Sequence, residues 1–388
     1  MINILYIHQS AELYGSDKTL LYLVSEIKQK GFNPIVVLPS KGPLYIELEK
    51  FKVQIIIAPV LKVSRNMYTF WNIFSLPFQI FQSFSVINKQ LKGKKIDIVH
   101  SNTLAVLTGA FYAKKYKIRH IWHVHEIISH PRLISNLYPK VVNYFSNTAV
   151  FNSFSTQDFM VNKYPRLIIK SKVVLNGFDR LTPVSSPEEI INYRRKHFNA
   201  SETDIIIALV GRISRWKGQQ LLLNAFSKIE NVNLNVKLAF VGSAPPNQEF
   251  FLESLQEKIK EYRLEEKVVI LPFQNDIWKI WDSIDIAVVP STEPEPFGLV
   301  AIEAMLASKP VIAADHGGLK EIVIDNETGF LIEPNNEILL ANAIQKLVDN
   351  PKLRNSFGEK GCQRALNTFS LKSHVNHFEK ILYEMLNK

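Results

Sequence analysis

The stretch DIAVVPSTEPEPFGLVAIEAMLASKPVIAADHGGLKEIV, residues 285–323, carries the strongest signals for fold and function in this chain. It begins with an apolar run that ends at Pro290, continues through a proline-rich loop, and enters an apolar helix near Phe297 or Gly298. A second apolar run starts at Pro310. Strand, loop, helix and strand in this order indicate parallel α/β structure.

The same rhythm extends outward over the whole chain. Runs rich in Ile and Val alternate with helix-length amphipathic segments. Because these runs are continuous rather than alternating, they predict parallel sheets covered by helices on both faces. A chain of 388 residues is too long for one ordinary core. We therefore expect an α/β fold of two doubly wound, Rossmann-like domains in tandem.

Turn residues and two prolines interrupt this rhythm between Asn176 and Asn199, and the domain boundary is expected there. The last segment has the periodicity of an amphipathic helix, which we expect to pack back on the N-terminal domain. The predicted regions are an N-terminal domain over 1–178, a linker over 179–199, a C-terminal domain over 200–370 and the returning helix over 371–388.

Ligands of open α/β sheets bind beyond the carboxyl ends of the strands, where loops and helix N-termini gather. Gly298 lets the backbone approach a ligand, and the free amides of Leu299 and Val300 can donate to phosphate oxygens. Glu295 precedes this helix, and Glu303 is expected almost two turns inside it. The two carboxylates therefore address different parts of one elongated ligand, a layout that suits the hexose, diphosphate and ribose of a nucleotide sugar.

The segment GRISRWKG, residues 211–218, follows the first strand of the C-terminal half. Arg212 and Lys217 lie in a strand-to-helix loop, the usual place for a phosphate grip. Together they can neutralise a diphosphate whose negative charge grows as a glycosidic bond breaks. Gly211 opens this loop and is a donor-binding candidate with them.

The string S-x-x-x-E-P-F-G-x-x-x-x-E-A-M, residues 291–305, resembles the E-x7-E signature of retaining glycosyltransferases of family 4. That family includes enzymes of bacterial surface-polysaccharide assembly and has the GT-B architecture, two Rossmann-like domains facing across a cleft. The resemblance implies that Glu295 binds the donor sugar and Glu303 the ribose, with Phe297 among the donor-binding residues. It also implies that Arg212 and Lys217 hold the diphosphate and stabilise the leaving group.

Two further segments of the C-terminal half match the family pattern less closely. VGSAPP, residues 241–246, resembles its VGxG turn and supplies Gly242, although Ala244 replaces the second glycine. Phe273 and Ile277 lie where the family's nucleobase stacks or bonds to the backbone. Phe273 is equally consistent with a core aromatic.

In the N-terminal half, Gly15 and Ser16 stand where a loop turns into a helix, and the resemblance implies that they approach the diphosphate and acceptor. IRHIWHVHEII, residues 118–128, places His125 at the end of a strand. The family's matching histidine bonds to the donor sugar, which adds His125 to the catalytic candidates Glu295, Arg212 and Lys217. Glu126 and Asn102 are the candidate acceptor-binding residues.

No D-x-D pair follows a strand, so we expect the diphosphate to be held by cations and helix amides without a metal. No cofactor is expected, because the nucleotide sugar, a UDP- or GDP-sugar, is a substrate. The mechanism implied by the resemblance is transfer with retention, in which the leaving diphosphate helps take the acceptor proton. The sequence offers no protein nucleophile.

Charge is unevenly distributed along the chain. Residues 1–180 hold 23 Lys and Arg against 9 Asp and Glu, a net charge of +14, whereas the remainder has a net charge of −4. With no nucleic-acid-binding motif, this surplus favours an anionic membrane surface and a saccharide or polyprenyl-linked saccharide acceptor. The single cysteine and the absence of a signal-like N-terminus favour the cytoplasm, at the inner face of the plasma membrane.

Residues 66–88 contain no charged side chain. A helical wheel places the aromatic residues on one broad arc, opposite a polar stripe that includes Ser83, so we expect a crossover helix rather than a membrane span. The breadth of the arc suggests that Phe70, Trp71, Phe74 and Phe78 help to dock the domain on a membrane, near Lys92, Lys94 and Lys95.

Two alternatives to glycosyl transfer stay open. A nucleotide-sugar 2-epimerase shares the two-domain architecture but needs no acceptor, and a non-catalytic, membrane-associated nucleotide-sugar-binding subunit would keep the fold without activity. The E-P-F-G string and the Arg–Lys pair favour transfer. A dehydrogenase is disfavoured because no G-x-G-x-x-G motif follows either first strand.

Overall fold

The computed structural model describes residues 1–61, 70–229, 235–274 and 276–387, and for residues 70–77 it gives the helix without the side chains. The chain divides into two compact units. Unit 1 comprises Met1–Gly177 and Leu371–Lys388, and unit 2 comprises Phe178–Ser370. The boundary falls within the segment where turn residues interrupt the strand–helix rhythm.

Unit 1 contains a parallel sheet with seven strands in the described ranges, in the order β3-β2-β1-β4-β5-β6-β7. Most of these strand residues are buried, because helices cover both faces of the sheet. The strands are β1 Asn3–His8, β2 Asn33–Leu38, β3 Gln54–Ile57, β4 Ile98–Asn102, β5 Arg119–Val124, β6 Thr148–Phe151 and β7 Ser171–Val173.

The connections between these strands are helical. The helices are α1 Gly15–Gln29, α2 Pro43–Lys50, α3 Phe70–Leu91, α4 Leu107–Tyr116, α5 Arg132–Phe145 and α6 Phe154–Val161, followed by a 3₁₀ helix at Pro165–Lys170. β1 and β4 are neighbours at the point where the strand order reverses. Loops that leave their carboxyl ends therefore start side by side, which is where open α/β sheets bind ligands.

Unit 2 has a second parallel sheet, with the order β10-β9-β8-β11-β12-β13 in the part of the chain described. Its strands are β8 Ile205–Val210, β9 Val236–Val241, β10 Val268–Leu271, β11 Ile286–Val289, β12 Val311–Ala314 and β13 Gly329–Ile332. Its helices are α7 Pro187–Phe198, α8 Gln219–Phe226, α9 Phe250–Glu261, α10 Ile277–Ser283, α11 Leu299–Leu306, α12 Leu319–Ile322, α13 Glu337–Asp349 and α14 Pro351–Thr368. The two sheets confirm the predicted class of two Rossmann-like parallel-sheet domains.

The C-terminal helix, α15 Leu371–Leu386, belongs to unit 1. Its apolar face, including Val375, Phe378 and Leu382, is buried in the core that α1 and the central strands form. Lys30 on α1 pairs with Glu379 at 2.5 Å on the outer side. The amphipathic pattern at the end of the sequence is thus satisfied by burial against unit 1.

The predicted linker, 179–199, is wrong for its second half, because residues 187–198 form α7. Ser186 caps this helix in a capping box: its hydroxyl accepts from the Glu189 amide, and the Glu189 carboxylate accepts from the Ser186 amide at 2.8 Å. The S-x-x-E spacing that predicts such a box is present in the sequence. Arg180 also anchors this segment to unit 2 through two hydrogen bonds to Asp282, at 2.6 and 2.8 Å.

Residues 70–88 of the uncharged stretch belong to α3, and none of the helices in the described ranges has the length and apolarity to span a bilayer. Phe84 and Ile87 are buried, as expected for a crossover helix. The predicted polar stripe is wrong at Ser83, which is fully buried, whereas Phe81 is 66% exposed. The side chains of Phe70, Trp71 and Phe74 lie outside the described residues, and Phe78 is exposed.

Candidate active site

Glu295 is the centre of a hydrogen-bonded cluster in unit 2. Its carboxylate is 95% buried and Oε1 accepts two hydrogen bonds, from Lys217 Nζ at 2.5 Å and from Ser291 Oγ at 2.6 Å. A buried carboxylate is stable only with such partners, and the lysine also supplies an opposite charge. Glu295 and Lys217, both predicted, are therefore parts of one site.

Sheet topology brings these residues together from distant parts of the sequence. The loop with Lys217 follows β8 and the loop with Glu295 follows β11, and these strands are parallel neighbours. Their carboxyl ends therefore lie at the same edge of the sheet. A backbone hydrogen bond from the Thr292 amide to the Trp216 carbonyl, 2.8 Å, joins the two loops, and Lys217 Nζ lies 4.4 Å from the centre of the Trp216 ring.

A third loop, residues 315–318, supports Glu295 from behind. The Gly318 amide donates to the Glu295 carbonyl at 2.8 Å, and His316 Nε2 lies 2.8 Å from the Ser291 carbonyl. Gly317 has φ +60°, and a Cβ there would lie 2.3 Å from the Glu295 carbonyl oxygen. The loop can approach so closely only because residue 317 has no side chain.

Burial lowers the pKa of His316, although its hydrogen bond to Ser291 and the nearby Glu295 carboxylate act in the opposite direction. The Ser291 carbonyl can only accept, so His316 Nε2 carries the hydrogen. Sequence reasoning did not assign Ser291, His316 or Gly317 to the site. The His-Gly-Gly string after β12 was the available signal, since it supplies a polar side chain and backbone freedom at a strand end.

Helix α11 begins at Leu299, with Gly298 as its N-cap residue. Glu303 therefore lies little more than one turn inside the helix, not almost two turns as expected. Its side chain is buried, and Oε2 accepts a hydrogen bond from the Trp281 indole at 3.3 Å. The free amides at the start of α11 thus lie between the two acidic residues along the chain, as the E-x7-E spacing predicts.

The other predicted donor-binding residues differ in whether their side chains are accessible to a ligand. Phe297 is 97% buried and packs against Phe369 with ring centroids 6.0 Å apart, so only its backbone is available to a ligand. Phe273 is 56% exposed, which excludes the core interpretation. Its amide donates to Ser243 Oγ at 3.0 Å, and Ile277 is the first residue of α10.

Gly211, Arg212 and Gly242 form the strand ends beside Lys217. Gly242 has φ +146°, and a Cβ there would lie 2.1 Å from the Gly211 carbonyl oxygen, so the tight contact between these loops requires glycine. Arg212 is exposed, and its carbonyl accepts from the Gln219 side-chain amide at 2.9 Å. The structure places Arg212 in the predicted loop that follows β8.

Unit 1 has a different kind of polar cluster at the carboxyl ends of β1, β4 and β5. His125 Nε2 lies 3.1 Å from Asn102 Oδ1, and Asn102 Nδ2 lies 3.1 Å from His8 Nδ1. His8 Nε2 in turn lies 2.5 Å from Asp17 Oδ1. All four side chains are at least 92% buried, and burial lowers the pKa of His125 to about 3, assisted by His8 and His374.

The two candidate acceptor-binding residues are engaged within unit 1. Glu126 Oε2 accepts from the amides of Leu104 at 2.8 Å and His125 at 3.1 Å, and burial raises the pKa of this carboxyl against the effect of those bonds. Asn102 is fully buried. This geometry therefore disfavours direct contact between a saccharide acceptor and the Asn102 side chain, because both ends of the Asn102 amide already have partners.

Gly15 and Ser16 are the first two residues of α1, as predicted. Gly15 is exposed, and the Ser16 carbonyl lies 3.3 Å from Asn102 Nδ2. In the described ranges, no group of three or more His, Cys, Asp and Glu side chains is arranged to hold a metal ion. Metal independence stays a prediction.

Comparison with known families covers both units. Residues 14–180 match the family model described as Glycosyltransferase Family 4, and residues 191–364 match the model described as Glycosyl transferases group 1. The two matches lie one after the other and contain all of the predicted site residues. The N-terminal candidates, including Asn102 and Glu126, fall in the first match. The C-terminal candidates, including Glu295 and Lys217, fall in the second.

Individual relatives agree with these matches. A lipopolysaccharide 1,2-N-acetylglucosaminetransferase of Salmonella typhimurium is 29% identical over 221 residues, 56% of this chain and 57% of the relative. An uncharacterized glycosyltransferase of Methanocaldococcus jannaschii is 29% identical over 303 residues, 76% of this chain and 77% of the relative. The chain spans about half the length of the first curated relatives that it matches.

Among solved structures, HepE of Anabaena in complex with UDP and glucose superimposes with a TM-score of 0.86. The sequences are 24% identical, and the match covers 99% of this chain and 100% of that protein. At this identity the likeness establishes the fold, which is that of the GT-B proteins.

Proposed function

Because the chain belongs to the GT-B glycosyltransferases, we propose that it transfers a hexose-type sugar from a nucleotide diphosphate sugar to a saccharide or lipid-linked saccharide, with retention and without a metal. The observation that carries this proposal is the buried cluster of Lys217, Glu295 and Ser291 beside the free amides of α11. It combines a cation, a carboxylate and a helix N-terminus at one sheet edge. A nucleotide sugar requires all three.

In this proposal the diphosphate is held by Lys217, by Arg212 and by the amides of Leu299 and Val300. Glu295 accepts hydrogen bonds from hydroxyls of the transferred sugar, and Glu303 from the ribose. His125 bonds to the donor sugar, as the resemblance implies. Each of these contacts uses a donor or acceptor that the residue type supplies at neutral pH.

During the reaction the bond between the anomeric carbon and the diphosphate oxygen breaks, and its electron pair stays on the diphosphate. The acceptor oxygen forms the new bond on the same face of the sugar, and its proton passes to the departing diphosphate. In this proposal Lys217 and Arg212 stabilise the negative charge that develops. No protein nucleophile takes part.

A UDP-sugar is the first donor to test, since HepE of Anabaena was solved with UDP and glucose. The Salmonella relative is a lipopolysaccharide transferase by name, which supports a saccharide acceptor in surface-polysaccharide assembly. Both are properties of those proteins, and here they only direct the choice of substrates.

The outer face of unit 1 supports the membrane part of the proposal. On α5, Leu133, Leu137 and Tyr144 are 80%, 54% and 64% exposed, whereas Tyr138 and Val142 on the opposite side are buried. These exposed residues form one helical stripe together with Lys140. The 3₁₀ helix packs against α5 and exposes Arg166, Ile168 and Ile169; we call these residues and the exposed stripe of α5 the α5 surface.

We propose that the α5 surface rests on an anionic bilayer, because exposed apolar residues among cations suit the interface of negatively charged lipids. Vesicles with and without phosphatidylglycerol test this at low salt. Leu133→Asp combined with Ile169→Asp should weaken binding to the anionic vesicles about tenfold or more. Ile338→Asp, at an exposed position in unit 2, is the control, and lack of binding by the unaltered protein would refute the membrane proposal.

A calorimetric panel of UDP-, GDP- and dTDP-sugars tests the donor site, followed by product analysis with saccharide acceptors. We expect one nucleotide class to bind with micromolar affinity and its sugar to appear on an acceptor with unchanged anomeric configuration. EDTA should not alter the rate. Free epimerised nucleotide sugar without an acceptor product would favour the 2-epimerase, and binding without turnover would favour the non-catalytic subunit.

A further inference from the structure

Four buried side chains of unit 1 form a continuous chain of hydrogen bonds from His125 to Asp17. The successive distances are 3.1 Å from His125 to Asn102, 3.1 Å from Asn102 to His8, and 2.5 Å from His8 to Asp17. These residues come from β4, β1, α1 and the end of β5, so tertiary structure assembles the chain. The family resemblance explains only its first member, His125.

The orientation of the Asn102 amide is fixed by Ser16, which is not one of the four hydrogen-bonded residues. Asn102 Nδ2 lies 3.3 Å from the Ser16 carbonyl oxygen, which can only accept a hydrogen bond. The NH2 group must therefore face Ser16 and His8, and Oδ1 must face His125. The usual ambiguity of an amide flip is removed by this obligate acceptor.

Asp17, at the other end of the hydrogen-bonded series, is also an obligate hydrogen-bond acceptor. The Asp17 carboxylate accepts from the Tyr14 amide through Oδ2 at 2.8 Å and faces His8 Nε2 through Oδ1. His8 therefore carries its hydrogen on Nε2. Its Nδ1 lies 3.1 Å from Asn102 Nδ2 and 3.3 Å from the Asn102 carbonyl oxygen, and we assign the hydrogen bond to the shorter contact, in which Nδ1 accepts from the amide. Every bond then points the same way, with His125 donating to Asn102, Asn102 to His8, and His8 to Asp17.

This direction determines the tautomer of His125. Since Asn102 Oδ1 accepts, His125 Nε2 must hold the hydrogen and Nδ1 must present a lone pair. Within the part of the chain that the structure describes, His125 Nδ1 has no hydrogen-bond partner. We propose that Asn102, His8 and Asp17 are positioning residues that hold His125 as an Nε2–H tautomer, so that its Nδ1 accepts a hydrogen bond from a hydroxyl of the bound sugar.

The proposal rests on the proposed function only for the identity of the ligand. Titratable groups around His125 are His8 on β1, His100 on β4, His123 on β5, Glu126 in the following turn and His374 on α15. Burial keeps the imidazole neutral near pH 7. A neutral acceptor is suited to recognising a hydroxyl and not to neutralising a diphosphate, a role that falls to the cations of unit 2.

The experiment is a long-range ¹H–¹⁵N correlation spectrum of the full chain labelled in its ten histidines, recorded at pH 7. His125→Gln identifies the His125 signals. His120 is an internal control, because its Nδ1 faces the Phe145 carbonyl at 3.0 Å and its Nε2 lies 2.9 Å from Ser101 Oγ, which fixes the opposite tautomer. We expect His125 to show a protonated Nε2 and an unprotonated Nδ1, and His120 the reverse.

Asn102→Ala should release the His125 tautomer into a mixture while leaving the His120 signals unchanged. With the donor that turns over in the nucleotide-sugar panel, kcat/KM should fall about 100-fold. A His125 that is cationic or protonated on Nδ1 in the unaltered protein would overturn the proposal, as would an unchanged His125 tautomer in Asn102→Ala. The spectra need no substrate, so absence of sugar transfer would refute the proposed function alone.

Discussion

The candidate residues of unit 2 are charged and paired, whereas those of unit 1 form a buried, largely neutral network of imidazoles and one amide. In unit 2, Lys217 neutralises Glu295 at a helix N-terminus. In unit 1, His100 and His123 are fully buried with both ring nitrogens unpartnered among the described residues. The contrast matches the proposed function, in which unit 2 binds the charged diphosphate and unit 1 binds neutral hydroxyl groups.

The largest expected effect tests the charged side of this comparison. Lys217→Ala should reduce sugar transfer by about 10²–10³-fold, because it removes a cation that stabilises the leaving diphosphate. The measurement is kcat/KM with the best donor, together with a thermal unfolding curve to show that the fold is kept. Lys228→Ala is the matched control, since Lys228 forms a comparable 2.7 Å pair with Glu337 on the surface of the same unit. Equal activity of the two variants would remove Lys217 from the site.

The neutral side of the comparison predicts a pH effect on stability. Burial lowers the pKa of His100 and His123 well below 6.5, and the pKa of His120 and His374 to about 4. As pH falls below about 6.5 the unfolded chain binds protons that the folded chain does not, so stability is complete above that pH and is lost toward pH 4. Unit 1 should therefore unfold more readily than unit 2 at pH 5.

His100→Phe tests this directly, because the His100 ring already packs between the rings of Tyr6, 4.8 Å away, and Phe378, 5.6 Å away. The variant should reduce the slope of unfolding free energy against pH by about 1.4 kcal/mol per pH unit at most, the contribution of one histidine. Urea unfolding at pH 7.5, 6.5 and 5.5 provides the measurement. His377→Gln, an exposed position on α15, should leave the slope unchanged, and an equal slope in both variants would contradict the prediction.

The smallest expected effect tests whether Glu303 binds the ribose of the nucleotide. Trp281→Phe keeps the aromatic core but removes the indole N–H that lies 3.3 Å from Glu303 Oε2. Loss of one such bond to a carboxylate should weaken nucleotide binding about fivefold, with little change in kcat. Titration calorimetry with the free nucleoside diphosphate gives the affinity. A change confined to kcat would argue against a ribose contact by Glu303.

Sequence reasoning succeeded where a site is encoded in a short segment. Glu295, Gly298 and Glu303 lie within nine residues, and their positions around a helix start follow from local strand–loop–helix signals. It was less successful at 187–198, where Ser186 and Glu189 form a capping box that the turn residues obscured. It also missed Ser291, His316 and Gly317, whose roles depend on contacts between loops that follow different strands.

The orientation of α3 also could not be predicted from the sequence. A helical wheel places Ser83 on the polar side, yet Ser83 is buried and Phe81 is exposed. Periodicity gives the relative orientation of residues on a helix, but the face that turns inward depends on the neighbours against which the helix packs. In unit 1 those neighbours include α4, which contacts both α3 and α5.

By itself the sequence determined the two parallel α/β domains and the helix start at the E-x7-E element, because strand and helix periodicity and helix-start chemistry are local properties. The GT-B family entered through the resemblance of that element to a known signature. Tertiary structure alone decided that Lys217 meets Glu295, and that Asn102 joins His125 to His8 and Asp17 instead of facing an acceptor. Except for His8 and Asp17, which are nine residues apart, these partners lie at the ends of neighbouring strands that are far apart in sequence. Which side chains meet at a sheet edge depends on strand order, and no local pattern specifies that order.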